Sequence, residues 1–285
     1  MTSSGQTSVT RIYDAEHRMP PIRPYLAETI AHLHFAYEKA RLDLKAAHQD
    51  TWFGRLWNVL NPLLLGVVYW LLVMVIFQRG GSDEMTGVQV LTQILGGLFL
   101  YRLCSGALAL GARSIVNSGA FVLNTRIPRL ILPIGAVVSA FLGFAPSLLV
   151  LAVFHLIARF DVGIHLLWAI PIIFIVVLIS FGMATIFATL NVYFRDVSSF
   201  LPYVLRIWLY LTPIIYLWEF IPASLHWALY LNPIGSIFAA WQQVLVEGTA
   251  PSLKFMSVGL AWGLALSVLG AYMFMRRERD FAIRI

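Results

Sequence analysis

The chain is short of charge. Of its 285 residues only 12% are Asp, Glu, Lys or Arg, while 59% are hydrophobic. Soluble domains carry about 25% charged residues, so the composition indicates a polytopic membrane protein before any pattern is read. Cys104 is the only cysteine, which rules out an intrachain disulfide. No glycine is followed by lysine. The phosphate-cradling loop G-x-x-x-x-G-K-[ST] is therefore missing, and ATP-driven work by that route falls to a second polypeptide. H-E-x-x-H and G-x-S-x-G are missing too, which removes the support for a zinc peptidase or an esterase elbow. A prenyl or sugar-phosphate transferase needs clustered carboxylates to hold Mg²⁺. The only adjacent acids are Asp83–Glu84, next to Gly80 and Gly81, a pattern that reads as a solvated turn. His32 and His34 are two residues apart, on opposite sides of a helix. His155, His165 and His226 read as interfacial or hydrogen-bonded. The chain is thus expected to hold no metal and no cofactor, and to be no enzyme in itself. With no basic stripe on a soluble domain, a nucleic-acid partner is not expected.

The first 55 residues are polar, with no apolar core of signal-peptide length near Met1, so insertion is expected to begin at the first true span. A hydrocarbon core about 30 Å thick needs around 20 helical residues. Six runs qualify: 61–78, 89–112, 131–158, 165–192, 199–217 and 255–275. They are continuously apolar, not alternating, which favours helices over barrel strands. The fold class expected is all-α: six transmembrane helices behind an N-terminal amphipathic helix. The parts are a cytoplasmic segment 1–55, a membrane domain 56–275 and a cytoplasmic tail 276–285. With both termini inside, fifteen Lys and Arg fall on the cytoplasmic side and three outside, with two inside spans, as the positive-inside rule requires. Arg195–Asp196 then marks the cytoplasmic turn between the fourth and fifth spans. Ser198 or Ser199 is expected to cap the fifth helix, with Pro202 in its first turn.

Residues 24–50 form an amphipathic helix on periodicity, with Leu26, Ile30, Leu33, Tyr37, Ala40, Leu44 and Ala47 on one face. Such a helix either lies in the headgroup plane or packs on a partner protein. Gly54 permits a bend into the first span. The basic stretch 113–130 is either a brief protruding helix or an ordinary loop. The long segment 218–254 is too apolar for a solvated loop, and prolines break it. It reads as two half-inserted helices, near 222–231 and 233–246, buried in protein or lining a cavity. No acid lies inside a span to pair with Arg102 or Arg206. Arg206 can snorkel toward headgroups. Arg102, near mid-span, faces a wet cavity, carbonyls or an anionic substrate, or else marks a locally broken second span. Tyr203, Trp208, Tyr210, Tyr216 and Trp218 suit either a sugar-stacking surface or lipid-facing packing. On an ideal helix Tyr203 and Tyr210 nearly share a face, with Trp208 close to opposite.

Several segments, in order, resemble the membrane subunit of type-2 ABC exporters for bacterial polysaccharides, the O-antigen, capsule and teichoic-acid permeases. They are "TWFGRLWNVLNPLL", "NTRIPRLILP", "NVYFRDVSSFLPYVLRIWLYLTPIIY" and "IPASLHWALYLNPIGSIFAA". The resemblance covers about residues 40–275. It implies a homodimeric permease in the bacterial inner membrane, with both termini cytoplasmic. It also implies a separate ATP-binding cassette subunit carrying ATP and Mg²⁺, and a lipid-linked glycan as substrate. The first and fifth spans would line the path, with Tyr69, Trp70, Tyr203 and Tyr210 along it and Arg206 and Arg102 attracting phosphate. The 113–130 loop would dock on the ATPase through Asn117, Phe121, Arg126 and Arg129. The family often places an Arg after its late Asn-Pro pair, where this chain has Trp241 and Gln242. A drug or small-molecule exporter of the same superfamily and, outside transport, a membrane glycan-processing enzyme are the alternatives.

The charge asymmetry makes a topological prediction. In a Cys104→Ser background, single cysteines at positions 83 and 247 should react with an impermeant reagent in intact cells, and one at 196 should not. Labelling at 196 but not at 83 would reverse the orientation.

Overall fold

The computed structural model describes residues 21–46, 52–76, 85–119, 125 and 127–284. Among them the regular structure is helical, with ten α-helices: α1 (Ile22–Ala31), α2 (Leu33–Ala46), α3 (Trp57–Ile76), α4 (Gly87–Ser114), α5 (Ile131–Ile157), α6 (Ala169–Tyr193), α7 (Val197–Leu211), α8 (His226–Leu231), α9 (Gly235–Leu245) and α10 (Leu253–Arg284). Each of the six apolar runs holds a helix. Among the described residues four helices are long and apolar enough to cross a membrane: α4, α5, α6 with its 3₁₀ lead-in from Ile164, and α10. α3 has 20 residues and α7 has 15, about 30 Å and 22 Å at 1.5 Å per residue.

α4 is the central post. Its Ile94, Leu95, Leu98, Phe99, Leu103 and Cys104 are buried, and α3, α5, α6, α7 and α9 pack around it. Thr86 and Gln89 start it with a reciprocal capping box, which satisfies two orphan amides at once. α6 and α10 form the tightest pair. A side chain at Gly182 would meet the backbone of Leu266 and Ser267, and one at Gly270 would meet Thr185 and Gly182. Small residues at both crossings let the two backbones touch, which is how helices gain van der Waals contact where lipid removes the hydrophobic drive.

Several expectations need correction. The span expected over 199–217 stops being helical at Leu211. Thr212 is extended (φ −105°, ψ 141°), because the residue before Pro213 is pushed out of the α region. No side chain of its own caps α7. The cap comes from the preceding helix, where Asn191 Oδ1 accepts from the Ser198 N–H at 3.1 Å. Pro202 lies in the second turn of α7, not the first. The amphipathic helix breaks at His32 into α1 and α2. Its protein-facing side is Tyr25, Thr29, Ala36 and Ala40, while Leu26, Ile30, Leu33 and Tyr37 stay exposed. The small side chains of Ala36 and Ala40 let α2 lie directly on α5, where Ser139 Oγ donates to the Ala40 carbonyl. The tail beyond 275 continues α10 as helix to Arg284. Phe281 stacks edge-on against Phe274 at 5.1 Å, and Asp280 accepts from Tyr193 at 2.6 Å. Gly54, at φ +48°, makes the bend into α3.

The α6–α10 contact should tolerate no side chain. Gly182→Val should destabilise the detergent-solubilised chain by about 3 kcal/mol or more, since the obstacle is backbone and cannot rotate away. Val at Gly106, whose nearest neighbour across the gap is Ala140 Cβ at 3.7 Å, should cost less. Thermal unfolding of both variants checks the order.

Candidate functional site

The first and fifth apolar helices meet through their tyrosines. Tyr69 of α3 and Tyr210 of α7 lie hydroxyl to hydroxyl at 3.2 Å, their rings edge-on at 6.3 Å. Arg206, one turn back along α7, is exposed and within electrostatic reach of the Tyr69 hydroxyl. Tyr203 is 64% and Tyr210 51% exposed. The buried residues of α7 are Leu201, Leu205 and Leu209, a stripe recurring every fourth residue, and the Tyr101 hydroxyl donates to the Leu205 carbonyl. The other sides of the helix carry Phe200, Tyr203, Val204, Arg206, Ile207 and Tyr210 into the open. Trp208 sits apart from that face. It packs edge-on against Tyr101 at 6.4 Å and donates to Asn232 at 2.8 Å.

The other two candidates of this group lie elsewhere. Trp70 donates to the Gly87 carbonyl at 2.6 Å and so ties α3 to the start of α4. Arg102 is exposed on α4 and, among the described residues, makes no hydrogen bond or ion pair. The helix around it runs unbroken from Gly87 to Ser114, so the locally broken second span is not present.

Beyond α7 the chain leaves helical geometry while still inside the protein. Thr212, Pro213 and Ile214 are buried, and their backbone groups need partners from elsewhere. Gln93 of α4 donates to the Ile214 carbonyl at 3.2 Å. Gln242 of α9 donates to the carbonyls of Pro213 (2.8 Å) and Tyr216 (2.9 Å), and accepts from the Trp218 N–H at 2.8 Å. Trp241 donates to the Gly96 carbonyl at 3.1 Å. Asn232 accepts from Trp208 and from the Ile234 N–H, and donates to Thr212 Oγ1 and the Leu211 carbonyl. Sequence reasoning passed over Gln93, Asn232 and Gln242 as site residues. The signal was there: an amide side chain inside an apolar run must be bonded. Beside this turn a cavity of about 520 Å³ opens between Tyr210, Tyr216, Phe220, Pro222 and Leu225.

At the opposite end of α7 lie the two ends of the 113–130 stretch. At its start, Arg113 Nη2 donates to the Ser198 carbonyl at 3.1 Å. At its finish, the free amides before α5 are satisfied from other helices. The Arg129 N–H donates to Glu278 Oε1 at 2.7 Å, the Leu130 N–H donates to the Tyr25 hydroxyl at 3.3 Å, and Arg129 Nη1 donates to the Glu278 carbonyl. Burial, with the Glu278 charge next in weight, pushes the Tyr25 hydroxyl up, so it stays a neutral phenol. A negative side chain at the start of α5 also suits the helix dipole. Asn117 is exposed. Phe121 and Arg126 lie outside the described residues.

Asn232→Ala removes four hydrogen bonds around the end of α7. At about 0.6 kcal/mol for each such bond in a membrane protein, the loss should be about 2–3 kcal/mol. Trp208→Phe removes one and should cost less. Unfolding midpoints of the two variants in detergent test this ranking.

Comparison with known proteins adds a second kind of observation. The family model described as "ABC-2 type transporter" matches residues 41–246. The chain is 28% identical over 241 residues to an O-antigen export system permease protein RfbA of Klebsiella pneumoniae, covering 84% of this chain and 90% of that protein. It is 26% identical over 246 residues to a protein of the same name from Myxococcus xanthus, covering 84% and 91%. The match runs from within α2 through α9, taking in the α3–α7 contact, the buried turn after it and the Arg113–Ser198 bond, and the chain belongs to the ABC-2 type transporter family.

Proposed function

We propose that this chain is the membrane subunit of an exporter that moves a lipid-linked polysaccharide outward across the bacterial cytoplasmic membrane. The observation that carries this reading is the likeness to O-antigen export permeases over 84% of the chain. A separate ATP-binding cassette subunit binds ATP and Mg²⁺ and supplies the energy, in keeping with the lack of any Gly-Lys pair. The chain itself needs no cofactor.

In this reading all six apolar helices cross the membrane. α7 completes its crossing through the buried turn 212–217, and both termini are cytoplasmic, as the charge asymmetry favours. Residues 56–275 form the membrane domain, flanked by the cytoplasmic parts 1–55 and 276–285. α1 and α2 lie at the cytoplasmic surface with Leu26, Ile30, Leu33 and Tyr37 turned to lipid. Two copies of the chain face each other across the path, each presenting the open face of α7 beside α3. Tyr69, Tyr203 and Tyr210 give the polymer stacking surfaces with polar edges, and Arg206 draws in its phosphate. Trp70 belongs to the wall behind them. Arg102, exposed on α4, is neutralised by an anionic group of substrate or lipid. Asn117, Phe121, Arg126 and Arg129 belong to the surface that meets the ATPase.

Deleting the gene in its native strain should strip polysaccharide from the cell surface and leave lipid-linked glycan inside. Restoring the wild type should reverse both. The Tyr203→Ala, Tyr210→Ala double variant should restore complex yield and ATP turnover but little export, whereas Trp208→Ala should lower yield first. Unchanged surface glycan after deletion would refute the export reading. Full export by the double variant would take the stripe out of the path.

A further inference from the structure

The two ends of the 113–130 stretch are held in unlike ways. The Arg129 end is fixed. Glu278, 8% exposed, takes the Arg129 amide, Arg129 returns a bond to the Glu278 carbonyl, and Tyr25 takes the next amide. That end is therefore tied to α10, which is locked to α6 backbone to backbone. At the Arg113 end Ile115 is fully buried, and the exposed Arg113 side chain makes one bond, to the first turn of α7.

Pro202 explains why that acceptor is free. In an α-helix the carbonyl of residue 198 takes its hydrogen bond from the N–H of residue 202. Proline has none. The Ser198 carbonyl is left without its helical donor, and the guanidinium of Arg113 supplies one. The Ser198 amide meanwhile is held by Asn191 of α6. One residue at the start of α7 is thus held on its N–H side by the rigid α6–α10 pair and on its carbonyl side by the last turn of α4.

We propose that Arg113 is the positioning residue through which movement of the 113–130 stretch reaches α7, by way of the Ser198 carbonyl that Pro202 leaves open. This inference rests on the export reading above. Through this bond the last turn of α4 bears on the helix that carries Tyr203, Arg206 and Tyr210. That helix meets the rest of the protein along its leucine stripe and through Trp208, and Tyr101 donates to its Leu205 carbonyl.

The test uses the complete complex of this chain with its ATPase, and reads complex yield, thermal midpoint, ATP turnover and export together. Arg113→Met should leave yield, midpoint and ATP turnover near wild type and lower export per ATP by about tenfold, within the range of measured couplings between sites. Arg113→Gln keeps a donor without charge and should recover most of that ratio, as should Arg113→Lys. Pro202→Ala gives the Ser198 carbonyl an N–H of its own, so it should also lower export per ATP, and Arg113→Met added to it should cost little more. Recovery by Lys but not Gln would assign Arg113 to charge pairing with lipid phosphate and overturn the inference. So would loss of ATPase binding in Arg113→Met, or full additivity with Pro202→Ala. Export by wild type and Arg113→Met alike would sink this inference alone. No export by the wild type would sink the export reading and this one with it.

Discussion

Inside a bilayer a backbone amide or carbonyl has no water to turn to, and each unpaired group costs several kcal/mol. The turn after α7 is where this chain meets that constraint most sharply. Pro213 ends the helix 15 residues after it begins, and Thr212, Pro213 and Ile214 are buried in non-helical geometry. Gln93, Asn232 and Gln242 serve as donors and acceptors in place of water. They come from α4, from the junction of α8 and α9, and from α9. The need to satisfy one short turn therefore sets where α9 sits, why it is buried along almost its whole length, and how the end of α7 is held. After the Asn232–Pro233 pair, Trp241 and Gln242 bond to backbone carbonyls. The local role is to finish the peptide groups of neighbouring segments.

The same rule shapes the other end of α7 with the opposite mechanical result. There the missing N–H is that of Pro202, and the substitute donor is one exposed arginine instead of a buried amide network. A network of buried bonds is costly to break because every member loses its partner in a low-dielectric setting. A single exposed bond is worth about 1 kcal/mol and exchanges readily with water. Near Thr212 α7 is held by the buried amide network, and at its start by Asn191 on the Ser198 N–H and Arg113 on the Ser198 carbonyl. Between the two, Leu201, Leu205 and Leu209 are buried, Trp208 packs on Tyr101, and Tyr101 donates to the Leu205 carbonyl.

Much of this was legible before the fold was seen, because periodicity and length report directly on burial and bilayer thickness. The positions of all six apolar helices, the two short helices after α7 and the bend at Gly54 follow from apolar runs and prolines. The division of α7 into a packed Trp208 and an open Tyr203–Tyr210 face follows from 100° per residue. What was not legible depends on partners distant in the chain. Ser198 and Ser199 looked like caps because they stand at the right place, yet Asn191 makes the cap. A local rule cannot know that the preceding helix brings an amide to the same spot. The apolar stripe of α1 and α2 was visible, but of its described members only Ala40 is buried, with Ala36 beside it on α5, while Leu26, Ile30, Leu33 and Tyr37 stay exposed. Close approach to Gly135 and Ser139 favours small residues over greasy ones. Arg102 invited a break in its helix, and the helix does not break. A guanidinium at that depth can be met from outside the chain as well as from inside it.

Glu278 shows most plainly why the tail matters. Position 276 looked like the end of the membrane domain, where charge returns and a cytoplasmic tail begins. The helix continues because Phe281 and Phe274 close a small core with α6, and because Asp280 and Arg284 bracket Tyr193, the arginine 4.4 Å from its ring. This extra length brings a carboxylate to the open Arg129 amide ahead of α5. Had α10 ended with its apolar run, the Arg129 side of the 113–130 stretch would lack its Glu278 anchor. The Glu278 carboxylate thereby joins the entry to α5 to the α6–α10 pair.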